Sequence, residues 1–288
     1  MKPLVKQLDP EGILPFSLVY NQPKGNKEEL PNHLHDWCEV IYIHEGSSIF
    51  FIDQTFYELK KGDLILVPPN VIHRSILESN AIVTSTALYF LPTSSIHETI
   101  NHMILMELFL KAKKKKTFRH SLGPEEQRIV EKYLSNIHKE KKEMNEFWEE
   151  AAFTEIIQLM IRLNRWVDAS ASKVEKIPTN FVWMKRVLDY VEEHLSENIR
   201  LEELASEACL SPVYFSKKFK QTVGITVSDF LVKKRLLKAK ELLKESDDSI
   251  QSIAERSGYQ SMPHFYRSFK KEVGQTPSKY RKNSISNN

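Results

Sequence analysis

YFSKKFKQTVGITVSDF, Tyr214 to Phe230, and HFYRSFKKEVGQTPSKY, His264 to Tyr280, are two versions of one pattern. At an offset of 50, Phe215 matches Phe265, Lys217 matches Arg267, Phe219 matches Phe269 and Lys220 matches Lys270. Val223, Gly224 and Thr226 likewise match Val273, Gly274 and Thr276. Upstream the offset becomes 49, pairing Leu201 with Ile250, Ala205 with Ala254 and Leu210 with Tyr259. The second copy therefore carries one more residue in its turn, and Gly258 is taken as that addition. Such self-similarity marks two copies of one supersecondary unit.

Each copy has the form of a helix-turn-helix. Leu201, Leu204, Ala205 and Ala208 fall on one face of a first helix. Ser211 and Pro212 then supply an N-cap and a proline at the first helical position, where a missing N–H costs nothing. Phe215, Phe219 and Val223 face inward, and Gly224 ends the helix. In the second copy Ile250, Ile253 and Ala254 line the first helix, Ser261 is expected to cap the next, and Phe265, Phe269 and Val273 point inward. Left outside are Val213, Ser216, Lys217 and Lys220 in the first copy, and Met262, Pro263, Tyr266, Arg267 and Lys270 in the second. A helix with its buried face assigned and a basic, hydrogen-bonding face left over suits the major groove. Lys217 and Arg267 read as donors to guanine O6 and N7. Lys218, Lys220, Lys270 and Lys271 read as phosphate contacts, which position without specifying. Between the units, Thr226 to Leu243 reads as one amphipathic helix, whose 18 residues span about 27 Å, against about 34 Å between successive major-groove faces.

Charge follows the same division. From Cys209 to Asn288 there are 16 Lys and Arg against 7 Asp and Glu, although the whole chain is only +3. The basic end fits a polyanionic partner. Cys38 and Cys209 lie far apart and suggest no disulfide framework. The start, MKPLVKQLDPEG, lacks the apolar stretch of a signal peptide, and no apolar run approaches the ~20 residues of a membrane helix. A cytoplasmic protein without membrane partners is expected. Two domains are expected from 288 residues. The small and polar stretch from Asp168 to Asn180 divides them as a linker, leaving residues 1–167 and 181–288 on either side.

The repeat resembles the AraC/XylS family of bacterial transcription regulators, over about 100 residues from Phe181 to Arg281. IQSIAERSGYQSMPHFYRSFKKEVGQTPSKYR carries the family's I-x-x-I-A, G-Y, F-x-R-x-F-K, G-x-x-P and Y-R elements in register, and Arg235, Ala239, Leu242 and Leu243 resemble its linker-helix pattern. The resemblance implies base contacts at Val213, Ser216 and Lys217 in the first unit, and at Met262, Pro263, Tyr266 and Arg267 in the second. Met262 and Pro263 depart from the polar residues often found there.

The other half reads differently. From about Phe16 to Phe90, the runs EVIYIHEG, SSIFFID, FYELKKGD, LILVPP and AIVTSTALYF are β-rich and broken by turn residues, as in a sandwich or barrel. From Ile96 to Trp166 helical spacing takes over, and two or three helices follow the sheet. The run KAKKKK, Lys111 to Lys116, is taken as a solvated loop between helices. The fold class is thus α+β: a cupin-like β-barrel followed by helices, then an all-α domain with two helix-turn-helix units joined by a linker helix.

HLHDWCEVIYIHEG sets His33, His35 and Glu39 in an H-x-H-x-x-x-E pattern, and GDLILVPPNVIH adds His73. Both segments resemble the cupin motifs, with Asn70 where the second usually has Gly. Two readings stay open. His33, His35, Glu39 and His73 form a competent donor set for Mn, Fe, Ni or Zn. Alternatively the same residues, with Trp37 and Tyr42, line an effector pocket that requires no cofactor. The architecture implies an effector, a sugar by resemblance, double-stranded DNA, RNA polymerase if the protein activates, and a homodimer formed through the helices from Glu125 to Trp166. A metal-dependent cupin enzyme carrying a DNA-binding tail is the alternative.

Overall fold

The computed structural model describes residues 16–25, 35, 37–77, 81–91, 100–169 and 181–285, and the chain divides into two compact units, 1–178 and 179–288. Most of the segment read as a linker lies outside the described residues.

Unit 1 begins with strands β1 (Phe16–Lys24), β2 (Cys38–Glu45), β3 (Ser47–Ile52), β4 (Thr55–Lys60), β5 (Asp63–Val67), β6 (His73–Ile76) and β7 (Val83–Phe90). Helix α1 (Ile100–Lys115), the short β8 (Arg119–Ser121), α2 (Pro124–Glu143) and α3 (Trp148–Ala169) follow. The strands form two antiparallel sheets, ordered β1-β7-β2-β5-β8 and β4-β3-β6, so the expected barrel is built from two sheets. Period-2 alternation gives β2 two distinct faces. Cys38, Val40 and Tyr42 belong to the main core that α1, α2 and α3 complete, whereas Trp37 and Ile41 pack with Ala87 and Tyr89 of β7. KAKKKK is not a loop: its first five residues are the end of α1. Cations in a last turn complement the partial negative charge of a helix C-terminus, which gives the lysines a structural role.

Unit 2 contains α4 (Val182–His194), α5 (Leu201–Glu207), α6 (Pro212–Val223), α7 (Val227–Glu245), α8 (Ile250–Arg256), α9 (Met262–Val273) and α10 (Pro277–Ile285). The two helix pairs α5–α6 and α8–α9 are the two copies, and α7 is the linker helix, capped by Thr226 through Asp229 N. In each turn one residue is left-handed: Cys209 (φ 55°) and Gly258 (φ 88°). They occupy equivalent places, since Leu210 N bonds Ala205 O and Tyr259 N bonds Ala254 O. Gly258 is therefore the counterpart of Cys209, and the extra residue is Gln260, between Tyr259 and the Ser261 cap position. Gly258 is required twice over, because a Cβ there would stand 2.3 Å from Leu195 O and 2.7 Å from Arg235 Nε. Arg235 of α7 fills this junction by donating to Leu195 O (3.2 Å) and Glu197 O (2.8 Å).

Among the described residues no helix is long and apolar enough to cross a membrane.

Gly258→Ala should destabilise the full chain by at least about 2 kcal/mol in urea unfolding, combining left-handed strain with a backbone clash. Cys209→Gly should instead be neutral or stabilising by up to about 1 kcal/mol, as strain relief meets glycine's entropy cost. In unit 1, burial pushes the His120 imidazole down to about 4 from an ordinary 6.5, with a hydrogen bond to the Thr117 backbone opposing the shift. The unfolded chain then takes up a proton that the folded chain refuses, so stability falls by roughly 1.4 kcal/mol per unit as pH drops between these values. His120→Leu should remove that part of the slope in unfolding measured from pH 7 to pH 4.

Candidate functional site

The two sheets of unit 1 meet at three buried polar side chains. Glu39 comes from β2, His73 opens β6, and His35 lies just ahead of β2. Glu39 Oε2 is 3.2 Å from His35 Nε2 and 3.2 Å from His73 Nε2. Among the described residues these three form the group able to share an ion, with ligand atoms within 4.8 Å of one another. Each ring is fixed from behind: His35 Nδ1 donates to Trp37 O (3.0 Å) and His73 Nδ1 to Val71 O (2.9 Å). With the hydrogen held on Nδ1, an Nε2 facing a carboxylate needs a proton or a metal ion between the two.

Burial alone would push the Glu39 carboxyl up, but hydrogen bonding and charge from His35 and His73 hold it well below the usual carboxylate range. Burial lowers the His35 imidazole despite its bond to Glu39, and the neighbouring His73 charge lowers it further. The centre thus holds a buried anion beside an imidazole, His35, that burial disfavours in its charged form. Asn70 secures the loop before His73. It takes a left-handed conformation (φ 59°), the role its glycine counterpart would play, and its N–H donates to His35 O at 2.7 Å.

Trp37 and Tyr89 complete the surroundings. Trp37 is 4.9 Å from His35 and 6.0 Å from Tyr89, ring centre to ring centre, and its buried Nε1–H meets no acceptor among the described residues. Tyr89 stands directly opposite Glu39 across the β2–β7 ladder, and burial, the Glu39 charge and a hydrogen bond to that carboxylate raise its phenol well above the ordinary value. Sequence reading missed Tyr89, since only the β2–β7 register brings it to Glu39. Tyr42 was expected in the same pocket, yet it has the other parity on β2. Its hydroxyl donates to Glu131 Oε1 of α2 at 2.8 Å, on the helix-covered face. His33 lies outside the described residues.

In unit 2 the inward residues are where the pattern puts them: Phe215, Phe219 and Val223 in α6, and Phe265 and Phe269 in α9, are buried. Ser211 caps α6 by accepting from Tyr214 N, whereas Ser261 holds the equivalent position without a side-chain bond. Ser216, Lys217, Lys220, Pro263, Tyr266, Arg267, Lys270 and Lys271 are exposed, and Val213 is 84 % exposed. Two residues expected outside depart from this. Met262, first in α9, is half-buried and packs against the second unit's core. Lys218 is half-buried with its Nζ 4.6 Å from the Trp183 ring centre and 5.8 Å from that of Tyr214, a cation–π placement that occupies its charge within the unit.

A ligand-binding domain joined to a helix-turn-helix domain defines a DNA-binding regulator. Two family models match the chain, "AraC-like ligand binding domain" over residues 22–101 and "Helix-turn-helix domain" over residues 204–283, together more than half its length. The chain belongs to the AraC family. It is 24 % identical over 280 residues to the HTH-type transcriptional activator RhaS of Enterobacter sp., covering 94 % of each chain. It is 40 % identical over 114 residues to the regulatory protein PocR of Salmonella typhimurium, a match that spans 39 % of this chain and 38 % of PocR. Among solved structures, the C-terminal domain of AraT, a response regulator from Geobacillus stearothermophilus, is 38 % identical, with 35 % of this chain and 85 % of that one covered and a TM-score of 0.34.

Tyr42→Phe should cost about 1 kcal/mol of stability through the lost Glu131 bond. It should leave intact any thermal response to a sugar or metal that His73→Ala abolishes.

Proposed function

We propose that this chain is a transcription activator that responds to a small polyhydroxylated effector, a sugar. The effector is bound by His35, Trp37, Glu39, His73 and Tyr89 and changes how α6 and α9 engage adjacent major grooves. One observation carries the DNA half. Each of two equivalent helices closes its inner face with paired phenylalanines and leaves a cationic face in solvent. Lys217 and Arg267 then reach base edges together with Val213, Ser216, Pro263 and Tyr266, while Lys220, Lys270 and Lys271 hold phosphates. The relatives named transcriptional activators support activation, and hence RNA polymerase as a partner.

For the effector, a hydroxyl group both donates and accepts. Glu39 offers an ionised acceptor, Trp37 an unused N–H, and the Trp37 and Tyr89 rings an apolar face. Occupancy favours one arrangement of the protein over another, which is how the signal reaches DNA. The working domains are residues 1–167 and 181–288 with a linker at 168–180. Helices α2 and α3 provide a homodimer interface, and the protein acts in the cytoplasm as a regulator without catalysis.

A second reading has specific support. Two imidazoles with Nδ1 fixed on carbonyls, both aiming Nε2 at one carboxylate, have the outer-shell pattern of metal-ligating histidines. The two 3.2 Å carboxylate–imidazole spacings suit neighbouring ligands with bonds of about 2.0–2.1 Å, and with the whole set spread within 4.8 Å an ion would draw the two imidazoles together. His35, Glu39 and His73 would hold Mn, Fe, Ni or Zn as a Lewis acid on which an effector oxygen is placed.

Arg267→Ala should weaken binding to a selected operator by roughly 1–3 kcal/mol and relax preference at one base. Lys270→Ala should weaken all sequences alike and flatten the salt dependence. Equal loss on specific and random DNA for Arg267→Ala would remove it from the base readers. A thermal-shift panel of sugars and divalent metals separates the two effector readings: a ligand at 100 times its dissociation constant stabilises by about 2.7 kcal/mol. A sugar response unaffected by EDTA supports the sugar pocket alone, and a response to metal that His73→Ala abolishes supports the metal centre.

A further inference from the structure

We infer that Val213 reads thymine, by packing its side chain against the C5-methyl group in the major groove. The inference rests on α6 being a groove-reading helix. Val213 is 84 % exposed, more than any other large hydrophobic residue among those described. It is the second residue of α6, after Pro212 and in the turn that Ser211 caps. Helical spacing puts Val213, Lys217 and Lys220 on the side opposite Phe215, Phe219 and Val223, so nothing in the unit's own core covers it.

An isopropyl group neither donates nor accepts a hydrogen bond, and β-branching holds it in one preferred rotamer on a helix. Thymine's methyl is the apolar feature that a base presents in the major groove. Lys217, one turn further along the same face, offers an ammonium for guanine O6 and N7 beside it. The second copy repeats the arrangement with different chemistry. Pro263 stands at the position of Val213, exposed and without a donor, and Arg267 stands at that of Lys217. Each reading helix therefore pairs an apolar contact at its head with a cationic donor four residues on. The second copy differs in having Tyr266 where the first has Ser216, so the two subsites are not interchangeable.

The test uses the full chain. Binding sites are selected from random duplex DNA, and each thymine of the selected site is then replaced by deoxyuridine, which removes the methyl and nothing else. At one position in the subsite under α6, the replacement should weaken wild-type binding about fourfold, the worth of one buried methyl group. Val213→Ala should bind the thymine duplex more weakly by a similar factor and show no further loss with deoxyuridine at that position. The side chain is in solvent, so circular dichroism should show an unchanged fold. Indifference to every deoxyuridine, or a methyl effect that persists in Val213→Ala, would overturn the assignment. Failure to enrich any sequence would overturn the DNA-reading role of α6 and this inference with it.

Discussion

Burial of two phenylalanines per copy is the constraint from which the rest of unit 2 follows. Phe215 and Phe219 pack 5.6 Å apart, ring centre to ring centre, as do Phe265 and Phe269. Fully burying such side chains is worth about 1.5–3 kcal/mol each, which fixes the rotation of α6 and α9 about their own axes. Once that rotation is fixed, Lys217 and Arg267 have only solvent or a partner to face. Trp183 and Phe230 add edge-on contacts to Phe215 and Phe219, and Tyr259 and Tyr280 do the same for Phe265 and Phe269. The aromatic clusters hold α6 and α9 firmly, as the DNA-reading surface proposed for them requires.

Unit 1 obeys a different rule, the alternation of a strand between two environments. On β2, Cys38, Val40 and Tyr42 serve the helices while Glu39 serves the interior, and the same division on β7 separates Phe90 from Tyr89. A single strand thereby joins the candidate effector centre to the face on which α2 rests, through Glu39 on one side and the Tyr42–Glu131 bond on the other. Burying a carboxylate is costly unless it is compensated. Glu39 is compensated by two histidines that the backbone itself orients.

The repeat made unit 2 legible down to individual faces, because a helix with known core residues leaves little freedom for the others. It did not show two contacts, one made at a helix end and one made to a ring outside the repeat. Met262 begins α9 and turns inward, and Lys218 bends onto Trp183, a ring supplied by α4 from outside the repeat. Alignment alone also could not tell Gly258 from Gln260 as the added residue, whereas the left-handed φ of Cys209 decides it. In unit 1, β2 to β5 and β7 showed as β-rich runs between turn residues, but β6 and β8, four and three residues long, are too short to stand out. His35, Glu39 and His73 were legible as a motif. Tyr89 was not, because cross-strand register is not written in local sequence, and Tyr42 was misplaced although its parity against Glu39 already excluded it.

The 19 residues of α7 make a rod of about 28 Å, shorter than the roughly 34 Å between successive major-groove faces on one side of DNA. Two reading helices held by such a rod engage neighbouring grooves only if the duplex curves toward the protein. Hydroxyl-radical footprinting of the full chain on a selected operator tests this most directly. Simultaneous reading by α6 and α9 predicts two protected patches on one face of the duplex, about one helical turn apart. A single patch, unchanged when the sequence one turn away is randomised, would contradict it.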